Sequence, residues 1–254
     1  MMLLHGQVVV VTGAAGLIGS SFSRGIVKQG GRVVLGDVAE AKGLALEEEL
    51  GKDNALFVKV DTTDTASIDQ FLKSGVERFG KIDSAVHSAC PRSSQFGARF
   101  ENLQPEGLKE DLFNQLGGAI LFSQRLIALF RQQGHGVLVH IASIQGVSAP
   151  KFEHYQGTAM GSPIEYSAIK AGTISISRYL AKYCKGQNIR VNCLSPGGIL
   201  DKQPASFLQR YRDSCLSKGM LDADDLTGTL VYLLSDQSKY LNGQNIVVDD
   251  GWML

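Results

Sequence analysis

Seven short runs rich in β-branched residues, separated by longer helical stretches, restrict this chain more than any other feature. VVVVT (8–12), RVVLGD (32–37), ALFVKVD (55–61), DSAVHS (83–88), GVLVHIAS (136–143), IRVNCLS (189–195) and QNIVVDDG (244–251) read as strands. Between them lie helical patterns such as 68–80, 113–133 and 163–185. Parallel strands need a crossover connection and are covered on both faces, so this alternation predicts an α/β fold: a doubly wound, seven-stranded parallel sheet with helices on both faces. Crossovers are right-handed, and ligands bind beyond the carboxyl ends of the strands, where the strand order reverses. No linker, repeat or low-complexity tract interrupts the pattern, and 254 residues suit one domain spanning 1–254.

Composition removes several function classes. Lys plus Arg equals Asp plus Glu at 25 each, so no basic excess points to a nucleic-acid partner. The apolar N-terminal run ends in a glycine turn after a few residues, too short for the roughly 20 that span a bilayer, and it lacks a signal peptide's charged start. We expect no membrane partner. Cys90, Cys184, Cys193 and Cys215 form no C-x-x-C pair and no metal spacing with histidine. Free thiols in a reducing cytoplasm are expected, and no metal site.

The loop after the first strand is TGAAGLIG, with Gly13, Gly16 and Gly19 three apart between a strand and a helix. Glycine there permits a tight turn and close approach of backbone to a pyrophosphate, which the helix N-terminus also favours. Asp37 ends the next strand, 24 residues beyond Gly13, near the spacing of about 20 at which a carboxylate takes the ribose hydroxyls. It would repel a 2′-phosphate, and no Lys or Arg lies in the glycine turn. These features predict NAD rather than NADP. Asp61 at the end of the third strand reads either as a ligand for an adenine amino group or as the cap of the following helix, where Thr62 and Asp64 compete for that role.

Residues 154–170, HYQGTAMGSPIEYSAIK, hold two tyrosines. Tyr166 has Lys170 at i+4, on the same helical face. An ammonium beside a phenol favours the phenolate and draws a pKa of about 10 downward. Such a tyrosine can take a proton from an alcohol or return one to a carbonyl. Tyr155 has Ala159 at i+4 and lies among Gly157, Gly161 and Pro163, in a loop. Ser162-Pro163-Ile164-Glu165 reads as a capping box with Pro163 at the first helical position, placing Tyr166 in the first turn.

TGAAGLIG, Asp37, Asp61, Asn114 in NQLG, Ser143 in IASIQG, YSAIK, SPGGI (195–199) and the terminal NGQNIVVDDG together resemble the short-chain dehydrogenase/reductase family almost end to end. The resemblance implies a Rossmann-type fold and a set of roles. Tyr166 is the general acid/base, Ser143 hydrogen-bonds the reacting oxygen, and Lys170 binds the nicotinamide ribose and tunes Tyr166. Asn114 holds a water in a proton relay to Lys170. Cofactor contacts are implied at Gly13, Ala15, Gly16, Leu17, Ile18, Gly19, Asp37, Asp61, Thr62, Ser88, Ala89, Tyr166, Lys170, Pro196, Gly197 and Ile199. The resemblance also implies a homodimer or homotetramer, and helices 113–133 and 163–185 carry apolar residues beyond one face.

Three departures stand out. The glycine turn is T-G-x-x-G-x-x-G, as in the longer epimerase and dehydratase branch, where compact members have T-G-x-x-x-G-x-G. The Ser143-to-Tyr166 gap is 23, about twice that of compact members. The usual N-N-A-G is His87-Ser88-Ala89-Cys90, which leaves the support of the central strands in question. Only 84 residues follow Lys170, too few for an appended substrate domain, so the expectation is a compact oxidoreductase with an enlarged 146–164 loop. KFEHYQGTAM, GGILDKQPASF and SKGML are similar to a subgroup associated with flagellin and nonulosonic-sugar modification. Loops 91–104, 144–164 and 198–220 should frame the substrate, offering Arg92, Arg99, Lys151, His154, Tyr155, Gln156 and Gln203. That polar set predicts a hydroxylated small molecule of sugar type, with Arg92 or Arg99 pairing to a phosphate. The expected reaction interconverts a secondary alcohol and a ketone. The alternatives are an epimerase or dehydratase that retains its NAD, and a non-catalytic NAD sensor.

Overall fold

The computed structural model describes residues 2–254. Seven strands form one parallel sheet: β1 (Val8–Thr12), β2 (Arg32–Asp37), β3 (Ala55–Lys59), β4 (Ser84–His87), β5 (Gly136–Ile141), β6 (Ile189–Pro196) and β7 (Asn245–Val248). Their order is β3-β2-β1-β4-β5-β6-β7. The chain winds outward from β1 to β3, then returns to β4 and winds the other way. The reversal between β1 and β4 opens the crevice in which the site lies.

The helices are α1 (Leu17–Lys28), α2 (Glu40–Leu50), α3 (Thr65–Phe79), α4 (Pro105–Asp111), α5 (Gly118–Gln133), α6 (Ile164–Tyr183), α7 (Ala205–Asp213) and α8 (Thr227–Leu234). Side chains alternate across a strand, so the VVVVT run feeds two cores. Val9 and Val11 pack with Phe22 and Ile26 of α1 and Leu230 and Leu233 of α8. Val8 and Val10 pack with Phe71 of α3 and Phe122, Leu126 and Phe130 of α5. Full burial of each such side chain is worth about 1.5–3 kcal/mol, and every β1 residue is buried. That is why an uninterrupted apolar run forms the middle of the sheet.

Several boundaries fall short of the sequence reading. β3 stops at Lys59 because Asp61 bends the chain: its Oδ1 accepts from Thr63 N at 2.8 Å and Thr63 Oγ1 at 2.7 Å. β5 stops at Ile141, before Ser143 opens a 3₁₀ turn. The expected helix 113–133 begins as a π-helical stretch, Leu112–Gly117, joining α4 to α5. The capping box does not form. Pro163 is itself the N-cap of α6, the Ser162 hydroxyl donates to Gln145 Oε1 at 2.9 Å, and the buried Glu165 carboxylate has no hydrogen-bond partner among the described residues. The 144–146 turn takes the hydroxyl that the helix would have used.

Candidate active site

A cavity of about 760 Å³ runs along the carboxyl ends of the strands, from Asp37 and Asp61 on the β2–β3 side to Phe207 and Trp252 on the β6–β7 side. At its first end the β1–α1 turn comes very close to the loop after β4. Gly13 has φ +68°, and a Cβ there would lie 2.9 Å from the Ala89 backbone, while one at Gly19 would strike the Gly13 carbonyl. The N-terminus of α1 begins at Gly16 with no side-chain cap and no acidic residue in its first turn. Its free N–H groups and positive dipole end fit a pyrophosphate. Asp37 buttresses the same turn, accepting from Ala15 N and Ala39 N at 2.9 Å each, and its carboxylate still lines the cavity.

The cofactor residues expected from sequence come together here. Gly13, Gly16, Leu17, Ile18 and Gly19 line the cavity with Asp37, Asp61 and Thr62. Ser88, Ala89, Pro196, Gly197 and Ile199 line it further along. Ala15 touches it only through its bond to Asp37. Asp61 is not the cap of α3; Asp64 is, accepting from Ala66 N at 2.9 Å. This arrangement can hold a dinucleotide with its adenine end over β2–β3.

Ser143, Tyr166 and Lys170 all line this same cavity. Ser143 follows β5, and its Oγ accepts from Gln145 N at 3.2 Å, leaving its own hydrogen free to donate. Gly146 lets this turn lie against α6: a Cβ there would sit 2.6 Å from the Lys170 carbonyl carbon. Lys170 is buried, donates from Nζ to the Ile141 carbonyl at 3.0 Å, and holds Nζ 5.3 Å from the centre of the Tyr166 ring. Two of its three N–H bonds remain for a ligand. Phe96 meets the Tyr166 ring edge-on at 6.1 Å. Tyr155 also lines the cavity, but burial pushes its phenol above the ordinary value, with hydrogen bonds from Ser162 and Gln145 acting in opposition. No cation partners it, so it stays protonated. Of the two tyrosines, only Tyr166 has the ammonium.

The structure does not bring Asn114 into the cavity. Its side chain is half-buried and makes no hydrogen bond among the described residues. It lies in the π stretch, where neighbouring Gln115 turns inward, buried, with Oε1 accepting from Cys90 Sγ at 3.2 Å. An extra residue per turn rotates the register of the face, which the sequence reading missed.

The unusual His87 keeps the central strands joined. Thr12 Oγ1 lies 2.9 Å from His87 Nδ1 and accepts from Ser88 N and Ala89 N. Next to it on β5, His140 lies between Ser123 Oγ at 3.0 Å and Ser177 Oγ at 2.8 Å. Burial, with the nearby Lys170 charge, lowers the His140 pKa to about 4; burial likewise takes His87 well below its ordinary value.

All three expected loops reach the substrate side, but with different residues in front. Arg92, His154, Tyr155 and Gln203 line the cavity; Arg99, Lys151 and Gln156 do not. Gln203 is occupied by its own loop, donating to the Ile199 carbonyl and accepting from Asp201 N. The lining there is aromatic and apolar where the sequence suggested polar groups: Phe207 and Tyr211 of α7, Trp252 after β7, and the thioethers of Met160 and Met220. Trp252 was legible only as the chain's single tryptophan. No metal-binding cluster occurs among the described residues.

A protein-family model described as "Enoyl-(Acyl carrier protein) reductase" matches residues 13–253. The chain is a short-chain dehydrogenase/reductase. It is thus an oxidoreductase of that family, and its doubly wound sheet is the family's Rossmann fold. Among short-chain dehydrogenase/reductase relatives, post-translational flagellin modification protein A of Campylobacter coli is 42% identical over 256 residues, covering 99% of this chain and 100% of the relative. The 7alpha-hydroxysteroid dehydrogenase of Bacteroides fragilis is 30% identical, covering 99% and 96%. A short chain dehydrogenase from Leptospira borgpetersenii, solved with bound NAD+, superimposes with a TM-score of 0.86 at 28% identity, covering 99% of this chain and 94% of that one.

Proposed function

We propose that the protein is an NAD(H)-dependent oxidoreductase that interconverts a secondary alcohol and a ketone on a hydroxylated, sugar-type small molecule. The observation that carries this reading is the Lys170 ammonium held over the Tyr166 ring beside Ser143, in the same cavity as the β1–α1 glycine turn. A nicotinamide dinucleotide bound in the crevice supplies the hydride acceptor or donor. Tyr166 takes the alcohol proton in one direction and returns it to the carbonyl oxygen in the other. Ser143 donates its free hydrogen to that oxygen. Lys170 keeps one N–H on the Ile141 carbonyl and presents the others to the ribose, with its positive charge beside the phenol. Tyr155, without a cation, donates to substrate and takes no part in the proton transfer.

The Asp37 carboxylate beside the uncapped α1 turn supports NAD over NADP, because it meets a 2′-hydroxyl favourably and a 2′-phosphate unfavourably. The sugar reading rests on the polar groups of the rim, Arg92, Gln145 and Asp201, and on the likeness to a flagellin-modifying relative. The whole chain acts as one catalytic unit, in a reducing cytoplasm that suits its four free thiols. No helix of the described residues is long and apolar enough to cross a membrane. Exposed Phe113, Ile120, Tyr179 and Tyr183 on the α5–α6 side support a homo-oligomer. A panel of sugars, sugar phosphates and nucleotide sugars, followed by NADH absorbance, tests the reading. Turnover of at least one sugar is expected; turnover confined to apolar ketones and alcohols overturns it.

A further inference from the structure

Charged side chains line the cavity at five places: Asp37, Asp61, Arg92, Lys170 and Asp201. The first two stand at the end proposed for adenine, and Lys170 serves Tyr166 and the ribose in the reading above. Arg92, in the loop after β4, has no such use. It is exposed, and among the described residues its guanidinium makes no hydrogen bond and no ion pair, with Asp201 or any other carboxylate. Its position is nevertheless defined. The guanidinium carbon lies 4.9 Å from the centre of the Phe96 ring, and Phe96 in turn meets the Tyr166 ring edge-on at 6.1 Å. The loop that carries both residues is clamped at Ser93. Its N and Oγ donate to the two carboxylate oxygens of the buried Asp111 at 2.7 Å each, and Gln95 N donates to Ser93 Oγ at 3.2 Å. A guanidinium stacked on a ring keeps its N–H edge for a ligand and has already given up part of the rotamer freedom that binding would cost.

A hydroxyl accepts from one N–H at a time, whereas a carboxylate or phosphate takes two parallel N–H bonds from the guanidinium fork and neutralises its charge. We propose that Arg92 anchors an anionic group of the substrate, a phosphate or a carboxylate, so that the sugar taken by this site is an acidic one. Guanidinium and phenol touch the same ring, Phe96, so the anionic group is carried away from the reacting carbon and not beside it. The inference rests on the alcohol-oxidising reading above and names the substrate class of that site.

Titration calorimetry on the full chain saturated with NADH tests this with D-glucose 6-phosphate, α-D-glucose 1-phosphate and D-glucuronate, which separate phosphate from carboxylate, and with D-glucose as the neutral control. At least one acidic sugar should bind about tenfold or more tighter than D-glucose. Arg92→Gln should abolish that advantage, and Arg92→Lys, which keeps the charge but not the fork, should recover part of it. The advantage should shrink as NaCl is raised, because the guanidinium is exposed. NADH affinity and the thermal melt check that both variants are folded. The anchor is overturned if no acidic sugar binds tighter than D-glucose, or if the advantage survives in Arg92→Gln. A loss that falls equally on D-glucose also overturns it, because Arg92 would then act only by holding Phe96 against Tyr166. Turnover with NAD+ separates the two claims. Arg92-dependent binding of an acidic sugar that yields no NADH supports the anchor and counts against the oxidation. NADH formation whose kcat/KM is unchanged in Arg92→Gln removes the anchor but leaves the oxidoreductase reading standing.

Discussion

At the residue scale, the two tyrosines of the 154–170 segment show how surroundings separate identical side chains. Tyr155 is half-buried beside amide and hydroxyl groups and has no cation; Tyr166 lies under the Lys170 ammonium. Replacing Tyr166 by Phe removes the hydroxyl that we propose carries the proton but keeps the ring, so kcat should fall by roughly 10²–10⁴-fold, with NAD+ affinity kept in a binding titration. Asp37→Ala should raise the ratio of NADP+ to NAD+ affinity by removing a negative charge where a 2′-phosphate would lie. Tighter binding of NADP+ by the wild-type protein would contradict the role given to Asp37. The buried histidines set a third expectation. His140 is held neutral, its pKa near 4 against an ordinary 6.5. Between those values the unfolded chain binds more protons than the folded one, so stability is full above pH 6.5 and declines as pH falls toward 4. His87 is shifted in the same direction. Urea denaturation at a series of pH values should show this acid limb, and His140→Asn should make it shallower.

At the element scale, the close packing of the Ser143 turn on α6 matters most, because it sets Ser143 relative to Tyr166. Gly146→Ala would push a methyl group to 2.6 Å from the Lys170 backbone and lift the turn. Displacements of about 1 Å cost near 10²-fold in rate, so kcat should drop on that order while NAD+ binding, which we propose uses the β1–α1 turn, should hold. Steady-state kinetics and a binding titration on one sample check the split. The strands were legible because each apolar run has its own period and length. The ends were not: Asp61 and Ser143 stop β3 and β5 through side-chain bonds that periodicity does not encode. The capping box failed for a similar reason, since Ser162 had a tertiary competitor in Gln145. The π stretch escaped notice because NQLG reads equally well at either helical period.

At the scale of the whole molecule, the half of the cavity that we propose for a dinucleotide could be picked out in the sequence because it hangs on local spacing: three glycines, then a carboxylate at the next strand end. The substrate half could not. Its wall joins α7, a 3₁₀ turn before α6 and the segment after β7, elements that meet only because β5, β6 and β7 are neighbours in the sheet. The exposed apolar residues of the α5–α6 side likewise become a surface only in three dimensions. Light scattering should find a dimer or tetramer, and Tyr179→Glu should shift it toward monomer; a wild-type monomer at micromolar concentration would refute the assembly. One bond ties the two halves together. The Tyr211 hydroxyl takes the amide hydrogen of Gly198, in the stretch that also carries Pro196 and Gly197 along the dinucleotide crevice. Anyone re-engineering selectivity will find this phenol a poor place to randomise, because losing its oxygen would leave the Gly198 amide without that acceptor and loosen the backbone next to Gly197. Libraries should vary Phe207 and Trp252 and leave Tyr211 alone.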